Sequence, residues 1–128
     1  MTCLIVDDNP KMREVMASIV RDFVDRIVES GDGAEAVLLY GMHRPDWVLM
    51  DVRLGAVNGI WATRQITRAY PRARVVMVSD DDGPELRAAA RDAGACSYVA
   101  KENLWALRQL LGHPQQDPCG GDRSGERR

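Results

Sequence analysis

The sequence predicts an α/β fold: a doubly wound, five-stranded parallel sheet with helices on both faces, built from five consecutive βα units. Three observations predict it. Short apolar runs alternate with segments of helical periodicity. The strongest runs, at residues 3–6, 47–50 and 75–78, are continuous rather than alternating, as in strands buried on both faces. Four of the five runs end on a polar, chemistry-bearing residue, which places such residues along one edge of the sheet.

The first run, Cys-Leu-Ile-Val at 3–6, is too short for a helix and is bounded by Asp7-Asp8-Asn9-Pro10. Asn9 suits a helix cap and Pro10 the first turn. The following helix places Met12, Val15, Met16, Ile19, Val20 and Phe23 on one face. A weaker second strand at 26–29 is broken by Ser30-Gly31-Asp32-Gly33, and residues 34–40 read as a short second helix. The third strand, 47–50, ends at Asp51. A Gly-rich loop at 55–59 then opens a third helix that stops before Pro71. The fourth strand, 75–78, ends at Ser79. Gly83-Pro84 starts a fourth helix carrying Leu86, Ala89, Ala90 and Ala93. The fifth strand, 98–100, ends at Lys101, and Leu104, Leu107 and Leu111 line a final helix. Residues 1–111 thus form one domain. Residues 112–128, rich in Gly, Pro and polar side chains with no apolar period, read as a disordered polar tail.

A chain of 128 residues suits one domain with a real core. A formal net charge of −2 gives no reason to expect nucleic acid or a membrane surface as partner. No apolar run approaches the ~20 residues needed to span a bilayer. The first strand begins with no basic stretch ahead of it, so no secretory leader is expected and the compartment is read as cytoplasmic. Cys3, Cys96 and Cys119 share no metal-ligand spacing and read as free thiols.

Ligands of open parallel sheets bind beyond the carboxyl ends of the strands. Asp7, Asp8, Asp51, Ser79 and Lys101 all fall there. Three carboxylates in one place repel one another unless a cation sits among them, and an all-oxygen donor set with water in the remaining positions suits Mg²⁺. A lysine ammonium and a serine hydroxyl beside that centre could hold phosphoryl oxygens. Charge balance and donor count both suit an aspartyl-phosphate. A plainer reading of Asp7 and Asp8 is that they cap the first helix, where carboxylates favour the positive end of the dipole.

The ordered set Val-Asp-Asp at 6–8, Met-Asp at 50–51, Val-Ser at 78–79 and Tyr-Val-Ala-Lys at 98–101 resembles the CheY-like, flavodoxin-like receiver domain of two-component response regulators. The resemblance spans about residues 2–111. It implies that Asp7, Asp8 and Asp51 bind Mg²⁺, with the backbone carbonyl of Arg53 completing the protein ligands. It implies that Asp51 accepts a phosphoryl group from a histidine kinase, that Lys101 pairs with that group and that Ser79 senses it. Tyr98 would be the switch aromatic that turns inward as Ser79 moves. That shift would remodel the surface of the fourth helix, fifth strand and fifth helix, where an unknown downstream protein or a second copy would dock. Trp105 would be a candidate anchor there. The implied protein is a stand-alone phosphoacceptor and not an enzyme beyond its own phosphorylation and dephosphorylation.

The sequence also departs from the family. A small residue usually follows the serine position; here Asp80, Asp81 and Asp82 follow it. Asp80 and Asp81 are therefore expected modulators, as is the basic side chain of Arg53. The alternative reading is a phosphorylation-independent interaction module of receiver fold, with Asp80 disabling the site. An aspartyl-phosphate hydrolase would instead carry its nucleophile on the first strand in an Asp-x-Asp pattern, which adjacent Asp7 and Asp8 do not match.

Overall fold

The computed structural model describes residues 1–55, 57–81 and 83–112. Five parallel strands, β1 (Thr2–Val6), β2 (Arg26–Ser30), β3 (Trp47–Asp51), β4 (Val75–Ser79) and β5 (Ser97–Ala100), form one sheet in the order β2-β1-β3-β4-β5. The helices are α1 (Pro10–Val20), α2 (Gly33–His43), α3 (Gly59–Ala69), α4 (Pro84–Asp92) and α5 (Ala106–Gly112). This is the predicted doubly wound architecture.

Apart from Thr2, Asp51 and Ser79 at their ends, the central strands are apolar because both faces of the sheet are covered. In β1, Leu4 and Val6 pack into the core beneath α2, α3 and α4, while Cys3 and Ile5 pack beneath α1 and α5. Val48 and Met50 alternate in the same way with Trp47 and Leu49 along β3. The two edge strands are more polar, as half-covered strands can be.

Local sequence sets the helix starts. Asn9 accepts a hydrogen bond from the Lys11 amide at 2.9 Å, and Pro10 occupies the first turn. Capping of α1 thus falls to Asn9, which releases Asp7 and Asp8 from the capping role. Asp32 caps α2 and Asn58 caps α3 in the same manner.

Four local readings change. Helix α2 runs on to His43 rather than stopping at Tyr40. Gly41 stays helical, with the Tyr70 hydroxyl close over the space a Cβ would fill, and the stop comes at Arg44 (φ 45°), just before Pro45. Val15 is 43% exposed, because the buried arc of α1 is centred on Met16, Ala17 and Val20 and leaves Val15 beyond its margin. Cys96 is disulfide-bonded, so Cys3 is the free thiol among the described residues; cysteine spacing carried no information on distance. Helix α5 extends through Gly112, and the expected tail from residue 113 onward lies outside the described residues. No helix among the described residues is long and apolar enough to cross a membrane.

Candidate functional site

The strand order makes the site. After β2 the chain crosses back over β1 to form β3, so the carboxyl ends of β1 and β3 flank the point where the winding reverses. Asp7 follows β1 there and Asp51 closes β3. Both are almost fully buried, while Asp8 is exposed. One carboxylate oxygen from each of Asp7, Asp8 and Asp51 lies within 4.8 Å of the others.

The positions are fixed by the surrounding backbone. The Asp7 amide donates to the Ser30 carbonyl at 3.0 Å, continuing the β1–β2 ladder, and its Oδ1 accepts from the Asn9 amide at 2.8 Å. Arg13 donates to the Asp7 carbonyl at 2.6 Å and pairs with Glu29 at 2.9 Å, tying α1 to β2 behind the site. Around Asp51 the decisive residue is Gly59. A Cβ at that position would stand 1.9 Å from the Asp51 carbonyl oxygen, so only glycine lets α3 begin this close to the acceptor strand. The Gly59 amide donates to the Val52 carbonyl at 2.8 Å and holds that approach.

Lys101 reaches in from the turn that follows β5. Its Nζ lies 3.1 Å from Asp7 Oδ2 and 3.4 Å from Asp51 Oδ1, bridging two of the three carboxylates. Burial pushes the Asp51 carboxyl up, the charge of Asp7 adds to it, and Lys101 offsets part, leaving it at about 6. Burial pulls the Lys101 ammonium down, but its contact with Asp7 and the charges of Asp51 and Asp7 outweigh that and leave it raised.

Asp7 Oδ2 is buried with no hydrogen-bond partner among the described residues, and the Lys101 ammonium 3.1 Å away meets it as an ion pair. Such an oxygen is costly unless something polar meets it. An orphaned buried oxygen within an all-carboxylate donor set is the chemistry of a hard divalent cation, so these residues fit Mg²⁺.

Ser79 ends β4 and is buried; its Oγ accepts from the Asp81 amide at 3.0 Å. Tyr98 donates from its hydroxyl to the Asp81 carbonyl at 2.6 Å, and Arg87 stands 4.8 Å from its ring centre. The Asp81 carboxylate pairs with Arg53 at 3.2 Å and accepts from the Gly83 amide at 3.0 Å. Asp81 is therefore the hub that joins Ser79, Tyr98 and Arg53, a role its sequence position as one of three aspartates did not reveal. Asp80 is exposed and outside the acidic cluster. The Arg53 amide lies 3.4 Å from Asp51 Oδ1. Trp105 is 67% exposed at the start of α5, with the Arg108 guanidinium 5.0 Å from its ring.

With this geometry in place, residues 3–111 match the family model for the response regulator receiver domain. The chain belongs to the response-regulator receiver family. The receiver is 38% identical over 99 residues to the transcriptional regulatory protein PdtaR of Mycobacterium tuberculosis, covering 77% of this chain and 48% of PdtaR. Among solved structures it superposes on a LuxR-family two-component response regulator from Aurantimonas with a TM-score of 0.81 and 32% identity, covering 88% of this chain and 83% of that one. It also superposes on the CheX–CheY–BeF3–Mg complex from Borrelia burgdorferi with a TM-score of 0.80 and 26% identity, covering 89% and 87%. The chain spans about half the length of the transcriptional regulators it matches. Receiver domains are phosphoacceptors that work with histidine kinases and downstream targets, and they bind Mg²⁺ at an acidic pocket.

Proposed function

We propose that this receiver accepts a phosphoryl group on Asp51 from a histidine kinase, with Mg²⁺ held by Asp7, Asp8, Asp51 and the Arg53 carbonyl. The observation that carries this reading is the Lys101 ammonium set 3.1 and 3.4 Å from two buried carboxylates that also share a cluster with Asp8. A purely structural ion pair would need one carboxylate there, not three.

When bound, Mg²⁺ would neutralise the carboxylates and shield the incoming phosphoryl oxygens from their charge. The chain's own groups do the rest. An Asp51 carboxylate oxygen attacks phosphorus in line as the bond from phosphorus to the donor nitrogen breaks. The acyl phosphate forms, and the imidazole of the kinase leaves with the electron pair. Lys101 pairs with the phosphoryl oxygens and compensates their charge.

Ser79 then turns its hydroxyl toward a phosphoryl oxygen. That rotation gives up the bond from the Asp81 amide. The loop that Asp81 anchors is freed to move with Tyr98, whose hydroxyl is bonded to the Asp81 carbonyl. The change spreads to the surface of α4, β5 and α5, where a downstream protein or a second copy docks with Trp105 at its margin.

Incubation with acetyl phosphate, followed by intact mass, tests this. The expected result is a phosphate-sized gain that requires both Mg²⁺ and Asp51. A gain that survives Asp51→Asn, or that ignores removal of Mg²⁺, contradicts the reading.

A further inference from the structure

Helix α2 shows an apolar face to solvent. The exposed positions of α1 include Lys11, Glu14 and Ser18, and those of α4 include Glu85, Arg91 and Asp92. On α2 they are Ala34, Glu35, Leu38, Gly41 and Met42, which share one arc opposite the buried Gly33, Ala36 and Tyr40. Leu38 is 69% exposed and Met42 73%, one turn apart. Apolar side chains scattered singly over a surface need no explanation. A helix that is apolar on its outer face as well as its inner one has the pattern of a covered helix.

The two ends of this face limit what can cover it. At the amino end is Glu35, the one charged residue of the arc, whose carboxylate accepts from the Ser30 hydroxyl and is held in place by it. Just past the carboxyl end is Arg44, exposed, with its guanidinium 4.2 Å from the centre of the Tyr70 ring. Arg44 edges a hollow of about 380 Å³ that Tyr40, Tyr70 and the exposed Arg72 also line. The hollow adjoins the face, since a Cβ on Gly41 would lie 3.2 Å from the Tyr70 hydroxyl. The face thus runs from a carboxylate, across Ala34, Leu38 and Met42, to a hollow edged by two guanidinium groups.

Such a face complements itself when turned end to end. In an antiparallel pair related by a two-fold axis, each Glu35 approaches the guanidinium end of the other helix, and every contact occurs twice. The two helix dipoles oppose each other, the favourable sense. Leu38 and Met42 of each copy are covered by the other, and no like charges meet between them.

We infer that α2 is a contact between two copies of this chain, which associate antiparallel through Ala34, Leu38 and Met42, with Glu35 of each copy against Arg44 and Arg72 of the other. An 11-residue helix is only ~16 Å long, so this face falls short of the ~800 Å² a side of a stable dimer. The association is therefore reversible and shows itself at high concentration. Helix α2 packs over β1 and β2, at the opposite edge of the sheet from β5. The contact is thus separate from the surface of α4, β5 and α5, and it does not rest on the phosphoacceptor reading.

Sedimentation equilibrium of the full chain, without a phosphodonor and up to about 1 mM, tests this. The parent is compared with Leu38→Glu, Met42→Glu, Glu35→Arg, Arg44→Glu and the double variant Glu35→Arg/Arg44→Glu. Trp105→Glu serves as a control on α5. All these positions are exposed, and melting curves establish that each variant is folded. The parent is expected to show a monomer–dimer equilibrium. It should weaken about tenfold or more in Leu38→Glu and Met42→Glu, and about fivefold in each single charge reversal. The double reversal should return to within about twofold of the parent, and Trp105→Glu should match it. A parent that stays monomeric throughout overturns the proposal and leaves the face to a different protein. So does association that is lost in Trp105→Glu, that a thiol reductant abolishes, or that is no tighter in the double reversal than in the single ones.

Discussion

Replacing Asp51 by asparagine is expected to stabilise the receiver at neutral pH when no divalent cation is present. Folding raises the Asp51 carboxyl from the ordinary 3.8 to about 6, because burial and the charge of Asp7 outweigh the help from Lys101. A raised carboxyl favours the protonated form in the fold. Its contribution to stability is complete below pH 3.8 and is lost as pH rises through about 6. The full displacement corresponds to ~3 kcal/mol. Asparagine escapes that loss; the displacement already includes the offset from Lys101, 3.4 Å away, and discounting it for solvent screening leaves an expected net gain of ~1–2 kcal/mol. Urea unfolding of both proteins in EDTA, at pH values on either side of 6, measures it. The parent should lose stability across that interval and Asp51→Asn should not. Added Mg²⁺ should restore the parent and help the variant less, because the cation binds the ionised carboxylates. Equal stability of the two proteins at neutral pH in EDTA, or the same pH slope for both, would refute the reasoning.

Lys101→Met removes the cation between Asp7 and Asp51. It should cost ~2–4 kcal/mol in EDTA, since two buried carboxylates are left facing each other, with part of that recovered by Mg²⁺; urea midpoints check it. Gly59→Ala forces a Cβ into the Asp51 carbonyl oxygen, so α3 must back away. A loss of ~2 kcal/mol or more, together with slower acetyl-phosphate labelling of Asp51, is expected from melting and mass measurements. The Arg53–Asp81 pair is exposed on both sides, and a double-mutant cycle should show a coupling below ~1 kcal/mol that fades with salt. Tyr98→Phe deletes the bond to the Asp81 carbonyl and should cost ~1 kcal/mol in urea unfolding.

The sheet was legible because β1, β3 and β4 are buried on both faces and so read as unbroken apolar runs. The acidic cluster was legible for a related reason: a strand that ends abruptly on Asp7 or Asp51 fixes where that carboxylate goes, whatever the loops do. Lys101 followed from the same rule at β5. What escaped was set by loop geometry. Nothing in the run Asp80-Asp81-Asp82 says that the second aspartate turns its amide to Ser79, its carbonyl to Tyr98 and its carboxylate to Arg53. The emphasis on Asp80 followed from its place next to Ser79, yet successive side chains at a strand end point to opposite sides, and Asp80 faces solvent. Gly59 read only as part of a Gly-rich loop opening the third helix, because the carbonyl it must clear belongs to another element.

The most direct test of the central claim is to locate the phosphate. The protein is labelled with acetyl phosphate in Mg²⁺ and treated with borohydride, which reduces an acyl phosphate to an alcohol and leaves ordinary carboxylates intact. Peptide fragmentation then reads the altered residue. A single altered residue at position 51 is expected, absent when Mg²⁺ is withheld. Reduction at another aspartate, or labelling at position 51 that persists without Mg²⁺, would contradict it.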